Sequence, residues 1–412
     1  MEWCKGDVGV LGENDVRICN FRNLCYSNFY DLYLVDKQFR FDHVVHLTTI
    51  AGMTDLFSYF EIPTDHIMMT NHLRLQYKRG KFSMFSRMAT SNIAHDIHDV
   101  LMPLFYTLMD RNELYQKPSR TIIALFEDME IESAQELHHL LSKETPITKL
   151  QLSFQSDETL TCFEDVTVGL LKTSVWYQWG FQLDPKGPIV DAGVTSQHIR
   201  KFTGYVMEHL NLTSHCSGEI YGILFSRKLN RKILNDKELA NAVSEKFNIK
   251  IVELSMEVNS LSYIIETVSC AKLVMGIHGA MLILAMFLPP SSVLLEMYPY
   301  AINPAHLTPY ITMALLPGMD IEYVRWRNMN SSASLVSKKG NFFRIDHLSH
   351  EEREAILNST EAPRRPCCKN SELRFRLYHN TIVNISEVLD ILSSTSLITS
   401  PREHPISNIE RR

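Results

Sequence analysis

Apolar and polar positions along the chain follow two alternating periods. Leu101, Leu104, Phe105 and Leu108 recur at the spacing of one helical face and predict a helix over 93–109, with Thr90, Ser91 and Asn92 as possible N-caps. Short apolar runs at 42–49 and 121–126 read as strands on either side of it. In the second half, strand-like runs at 222–225, 249–254, 272–275 and 292–297 alternate with helical patterns at 236–247, 260–268 and 280–288. Asn235 or Asp236 caps the first of these helices. The alternation predicts an α/β fold with a parallel, doubly wound sheet and right-handed crossovers.

Turn-rich residues 184–188 and the polar stretch 211–218 mark a boundary near 184–220. The expected units are 1–215 and 216–366. Residues 330–334 read as a loop, and 371–397 as a helical segment packing back on the first unit.

Composition narrows the setting. Hydrophobic residues make up 45% and charged residues 21%, an ordinary globular balance. The net charge of -6 has no basic stripe behind it, which argues against nucleic acid. The eight cysteines form no C-x-x-C pair, which disfavours a zinc ribbon or a redox motif. Asn211, Asn330, Asn358 and Asn384 each head an N-x-S/T sequon. Clustered cysteines and four sequons fit an oxidising lumen. Met1–Cys4 shows no signal-peptide pattern, and no apolar run approaches the roughly 18 residues of a membrane span. Either the protein is cytosolic or an anchor precedes Cys4, and the second is the expectation.

Several residues are placed to do chemistry. Gly276-Ile-His-Gly-Ala280 follows a strand and opens a helix. His278, Gly279 and Ala280 could cradle a diphosphate there, because glycine allows close approach and a helix N-terminus attracts anions. A tight strand–helix turn with a surface histidine is the plainer reading. Glu296, closing the next strand, suits a ribose diol, or it merely ends that strand. Arg227 and Arg231 leave a strand of the same predicted sheet, where guanidinium forks match phosphate oxygens. Asn92, His95, His98 and Asp99 open the first helix, with His95 and Asp99 on one face. Either His95 or Asp99 could be a general base toward an acceptor hydroxyl, or Asp96 and Asp99 could simply complement the helix terminus. A metal held by His95 and His98 lacks a third ligand. Trp176 and Trp179, within Trp176–Phe181, could line an acceptor groove or fill the core.

Taken together, these residues resemble glycosyltransferase family 61. The carrying matches are Asn92-x-x-His95-x-x-x-Asp99, Ser226-Arg227-x-x-Asn230-Arg231, Gly276–Ala280, and Glu296-x-x-Pro299. Longer stretches at 17–27, 98–108, 176–181, 298–304, 316–320 and 326–328, with Cys367-Cys368, extend the resemblance over roughly 15–395. They are similar to the branch of the family that extends O-linked mannose. The resemblance implies a GT-B fold, two Rossmann-like domains facing a cleft. It implies inverting transfer of N-acetylglucosamine from UDP-GlcNAc, in β-1,4 linkage, to O-linked mannose on a dystroglycan-like glycoprotein. It further implies the endoplasmic reticulum, no metal and no cofactor beyond the donor. A membrane anchor and a C-terminal fibronectin type III domain, both implied by the resemblance, do not appear in this sequence. Six cysteines, excluding Cys216 and Cys270, are the expected disulfide formers. Two other functions stay open: transfer of N-acetylglucosamine to Ser or Thr of extracellular epidermal-growth-factor-like domains, and a non-catalytic sugar-binding or scaffold role.

Overall fold

The computed structural model describes residues 3–5, 18–27, 32–36, 44–46, 56–62, 74–87, 91–114, 121–125, 135–142, 144–148, 151, 159–179, 187–189, 192–212, 216, 218–336, 345–364 and 371–397. Phe181, Cys367, Cys368 and part of the 184–188 turn lie outside them.

The described strands build two main sheets. The first is mixed, in the order Val44–His46, Leu56–Ile62, Leu32–Asp36, Ile18–Ser27, Thr159–Val168, Arg74–Phe85, Thr121–Leu125, Ile147–Thr148, with Trp3–Lys5 paired to Ile18–Ser27. Its last four strands run parallel. They hold a strand–helix–strand–helix–strand unit, in which Arg74–Phe85 leads into residues 93–110, then Thr121–Leu125, Gln135–Leu141 and Ile147–Thr148. Antiparallel pairing of Ile18–Ser27 with Thr159–Val168 extends the sheet on the other side. A uniformly doubly wound first unit is therefore not what the chain forms.

The second sheet meets the expectation. Its order is Lys250–Leu254, Tyr221–Phe225, Leu273–Ile277, Ser292–Tyr298, Ile321–Arg327, all parallel. Leu273–Ile277 and Ser292–Tyr298 are buried along their whole length, as strands covered on both faces must be. The strand order reverses between Tyr221–Phe225 and Leu273–Ile277, and open sheets of this kind bind ligands at the carboxyl edge of such a point.

Leu273–Ile277 passes into Ala280–Phe287, which is a 3-10 helix rather than an α-helix. Met281–Phe287 is buried throughout, so this helix lies inside the protein. It packs against the Ile93–His95 turn of the first unit and against helix Ser196–His209. One core cluster accordingly runs from Phe85 and Ile97 through Phe202 to Leu284 and Met313.

The C-terminal segment corrects an expectation. It forms helices Ser371–Leu377 and Ile385–Ser393, and the latter packs on the second unit, against Asp236–Phe247 and Ile321–Arg327. Val388 and Leu392 are fully buried beside Leu239, Val243 and Trp326. Each such side chain contributes about 1.5–3 kcal/mol over remaining exposed. Asn235, expected as a cap, makes no cap bond. Its amide instead donates to the Val383 carbonyl and its oxygen accepts from the Val383 N–H, both at 2.9 Å. Trp326 Nε1 donates to Glu387 at 2.7 Å.

Cys25 is bonded to Cys162 across neighbouring strands. Cys216 is bonded to Cys270, so the pair set apart in the sequence is also a disulfide. The four sequon asparagines are all exposed. Among the described residues, no helix is long and apolar enough to cross a membrane.

Candidate active site

The first half of the site grows out of the strand Arg74–Phe85. Asn92 N-caps the helix that follows, its side chain accepting from the Ala94 N–H at 3.1 Å. The helix runs α at Ile93–His95, opens into a π turn over Asp96–Leu101, and resumes as Met102–Asp110. Such π turns are rare and concentrate at functional sites. Here the turn carries His98 and Asp99, directly after His95.

Asp99 is the hub. His95 Nδ1 lies 2.6 Å from Oδ2, and His98 Nδ1 meets Oδ1. Trp179 Nε1 donates to the same carboxylate at 3.0 Å. The Trp176 backbone N–H donates to His98 Nε2 at 3.2 Å, so His98 is an acceptor there and carries its proton on Nδ1. Both nitrogens of His98 are thus spent within the protein. Burial works to raise the Asp99 pKa, but the electrostatic pull of the His98 ring and hydrogen bonds from His95 and His98 outweigh it and bring it to about 2. The carboxylate stays ionised and fully engaged. His95 points the opposite way: its Nδ1 is held, and its Nε2 makes no hydrogen bond among the described residues.

Trp176 and Trp179 do not present open faces to a sugar. Trp176 is 1% exposed, packed edge-on to His98 with Nε1 donating to the Pro309 carbonyl, and so braces one unit on the other. Trp179 tilts over His95 with ring centroids 4.4 Å apart. Both are structural neighbours of the His95–Asp99 pair.

The second half of the site lies at the reversal of strand order. Arg227 follows Tyr221–Phe225, while His278 and Gly279 follow the adjacent Leu273–Ile277. A Cβ built on Gly279 would lie 3.0 Å from Arg231 Nη1 and 3.1 Å from Arg227 Nη1. The two guanidinium groups therefore converge on one point that only glycine leaves open. Arg231 Nη1 donates to the His278 carbonyl at 3.0 Å, and Arg227 Nη2 donates to Asn230 at 3.4 Å. Neither arginine has a carboxylate within 4 Å among the described residues, and the Nε atoms of both are buried without a partner. Burial first, then repulsion from Arg227, lowers Arg231 to about 10. A buried and a half-buried guanidinium side by side, each with an orphaned Nε donor, are the arrangement expected where an anion binds.

His278 sits beside them, stacked on Tyr298 at 5.2 Å. Its Nδ1 is 2.5 Å from Glu296 Oε1. Tyr323 donates to Glu296 Oε2 at 2.6 Å, and Glu296 is wholly buried. Both carboxylate oxygens are occupied within the protein, so the structure places Glu296 behind His278 and not open to a ribose. Tyr310 donates to the Gly279 carbonyl at 2.7 Å and fixes the start of the 3-10 helix at half-buried Ala280. Tyr298, Tyr310 and Tyr323 were not singled out by the sequence. The alternation in Ile321–Arg327, which puts Tyr323 and Arg325 on one face with Arg325 paired to Glu296, was the available signal.

The two halves meet through packing of Ile93–His95 on Ala280–Phe287. A held imidazole and a pair of unpaired guanidinium groups therefore flank one contact between the units.

Comparison with known proteins gives the same direction. The family model Glycosyltransferase 61 matches residues 93–295, a span that begins at the His95 helix and ends one residue before Glu296. A Canis lupus familiaris protein named Protein O-linked-mannose beta-1,4-N-acetylglucosaminyltransferase 2 is 34% identical over 391 residues, covering 90% of this chain and 66% of its own. Proteins of the same name from Xenopus tropicalis and Homo sapiens are 32% and 34% identical, over 94% and 91% of this chain and 69% and 66% of theirs. The chain spans about two thirds of the length of these relatives.

Proposed function

The chain belongs to glycosyltransferase family 61, and from that premise we propose that it is an inverting transferase moving N-acetylglucosamine from UDP-GlcNAc, in β-1,4 linkage, to O-linked mannose on a protein. The observation that carries this reading is the convergence of Arg227 and Arg231 on Gly279, without a carboxylate, at a strand-order reversal. The donor diphosphate would take the place of the missing counter-charge. Two guanidinium groups and the His278 imidazole supply the charge stabilisation that a metal gives other transferases, so no metal is required in this scheme. Glu296 and Tyr323 orient His278.

His95 is the general base. Asp99 holds its Nδ1, which leaves Nε2 to take the proton of the mannose hydroxyl as that oxygen attacks the anomeric carbon. UDP departs from the opposite face, and the α-linked donor becomes a β-linked product. Asp99 positions His95 and does not itself take the proton, because its oxygens are already engaged.

A GT-B arrangement, with the two units facing a cleft, is the architecture this mechanism needs. Support comes from the placement of both half-sites at carboxyl ends of parallel strands. Exposed sequons and disulfides support a lumenal setting in the endoplasmic reticulum. An O-mannosylated, dystroglycan-like glycoprotein is the proposed acceptor.

The test is incubation with UDP-GlcNAc and an O-mannosyl threonine peptide, with chelator present, read by mass spectrometry. A gain of one N-acetylhexosamine is expected. Transfer to a folded epidermal-growth-factor-like domain instead would replace the acceptor assignment.

A further inference from the structure

Arg231 presents a problem that Arg227 does not. It is almost wholly buried, it adopts a left-handed backbone with φ of 51°, and it lies against a second guanidinium. A non-glycine residue in that region costs energy and persists only where its surroundings hold it. Its guanidinium donates to the His278 carbonyl. A second contact comes from far along the chain. Tyr378, just past helix Ser371–Leu377, lies with its ring 4.3 Å from Arg231 Cζ.

We propose that Tyr378 is a donor-site positioning residue, through which the C-terminal segment holds Arg231 ready for the donor diphosphate. The choice of side chain is what makes this specific. A carboxylate at this place would pair with Arg231, cancel its charge and compete with the incoming phosphates. An aromatic face holds a cation through its quadrupole while leaving the guanidinium donors and the net charge available. Tyr378 thus steadies a repulsive pair without neutralising it.

The segment that carries Tyr378 is itself tied down near the donor site. The Lys232 N–H donates to Asn380 Oδ1 at 3.0 Å, and the Thr381 N–H donates to the Lys232 carbonyl at 2.8 Å. These bonds join the residue after Arg231 to the residues shortly after Tyr378. Register between the two stretches is therefore fixed by one backbone–backbone bond and one bond to the Asn380 side chain, and the ring is delivered to the guanidinium.

The inference rests on the reading of Arg227 and Arg231 as the diphosphate site. Its test is steady-state kinetics and UDP calorimetry on the full chain carrying Tyr378→Phe, Tyr378→Leu or Arg227→Ala, with melting temperatures measured in parallel. The phenylalanine variant keeps the ring and is expected to hold donor KM within about threefold of the parent. The leucine variant is expected to raise donor KM and UDP Kd roughly tenfold, with kcat and acceptor KM within about twofold. Equal donor KM for the leucine variant and the parent overturns the role of Tyr378, and so does a leucine variant in which kcat and both KM values change together. A leucine variant that does not fold, while the phenylalanine variant folds and binds UDP ten times more weakly, also overturns it. Undiminished UDP binding by Arg227→Ala sinks the diphosphate reading itself, whatever the Tyr378 variants do.

Discussion

Asp99 in the first unit meets two imidazoles and an indole N–H, whereas Arg227 and Arg231 in the second meet each other and, among the described residues, no carboxylate within 4 Å. Both groups lie beyond the carboxyl ends of parallel strands, and both belong to the same proposed reaction. Their electrostatics differ because their tasks differ. A base must be held in one orientation before substrate arrives, so its supporting charge is matched inside the protein. A diphosphate brings two or more negative charges with it, so its site keeps its positive charge unmatched and its donors unused. A buried carboxylate whose hydrogen bonds are all made inside the protein points to positioning, and neighbouring like charges with orphaned donors point to a charged ligand.

The first way to break this comparison is His95→Ala. It should lower kcat by about 10²–10⁴ while leaving UDP affinity unchanged, by transfer assay and calorimetry. Exchanging Arg227 and Arg231 together for Ala should do the reverse to binding and weaken UDP roughly 100-fold or more, since charge-assisted bonds contribute about 1.5–3 kcal/mol each. Equal UDP affinity in that double variant would show that the unmatched charge has another purpose.

Asp99→Asn should cost kcat about tenfold or more and spare UDP binding. It also sharpens the account through acid stability. The Asp99 pKa is lowered on folding, so its contribution is present above the ordinary value of 3.8 and is lost as pH falls through about 2. Acid melting of the variant should lack that loss in this window. The smallest effect is expected from Gly279→Ala. Its Cβ would crowd the ends of two flexible guanidinium side chains, and donor KM should rise a few-fold as they give way.

Much of the second unit was legible in the sequence, because its strands and helices alternate cleanly and its turn chemistry is local. Gly276–Ala280 and Ser226–Arg231 announce themselves as strand-end motifs, and the parallel sheet puts them side by side. Three readings turned on one physical property that the sequence does not carry. Glu296 looked like a ribose ligand, Trp176 and Trp179 like an acceptor groove, and 371–397 like a segment on the first unit. In each case the residue type was right for the role, but burial decides the role and burial is a tertiary property. The apolar face of Ile385–Ser393 says that it packs, not on which sheet. The mixed pairing in the first unit was hidden similarly, since Ile18–Ser27 and Thr159–Val168 meet across more than a hundred residues. Tyr378 left no local signal, because its partner lies far away along the chain.

The most direct test of the central claim is calorimetric titration of UDP into the parent chain, His95→Ala and Arg227→Ala, side by side. The account predicts the same affinity for the parent and His95→Ala, and loss of binding in Arg227→Ala. Retained binding in Arg227→Ala, or its loss in His95→Ala, would contradict the division of the site into a matched base and an unmatched anion cradle.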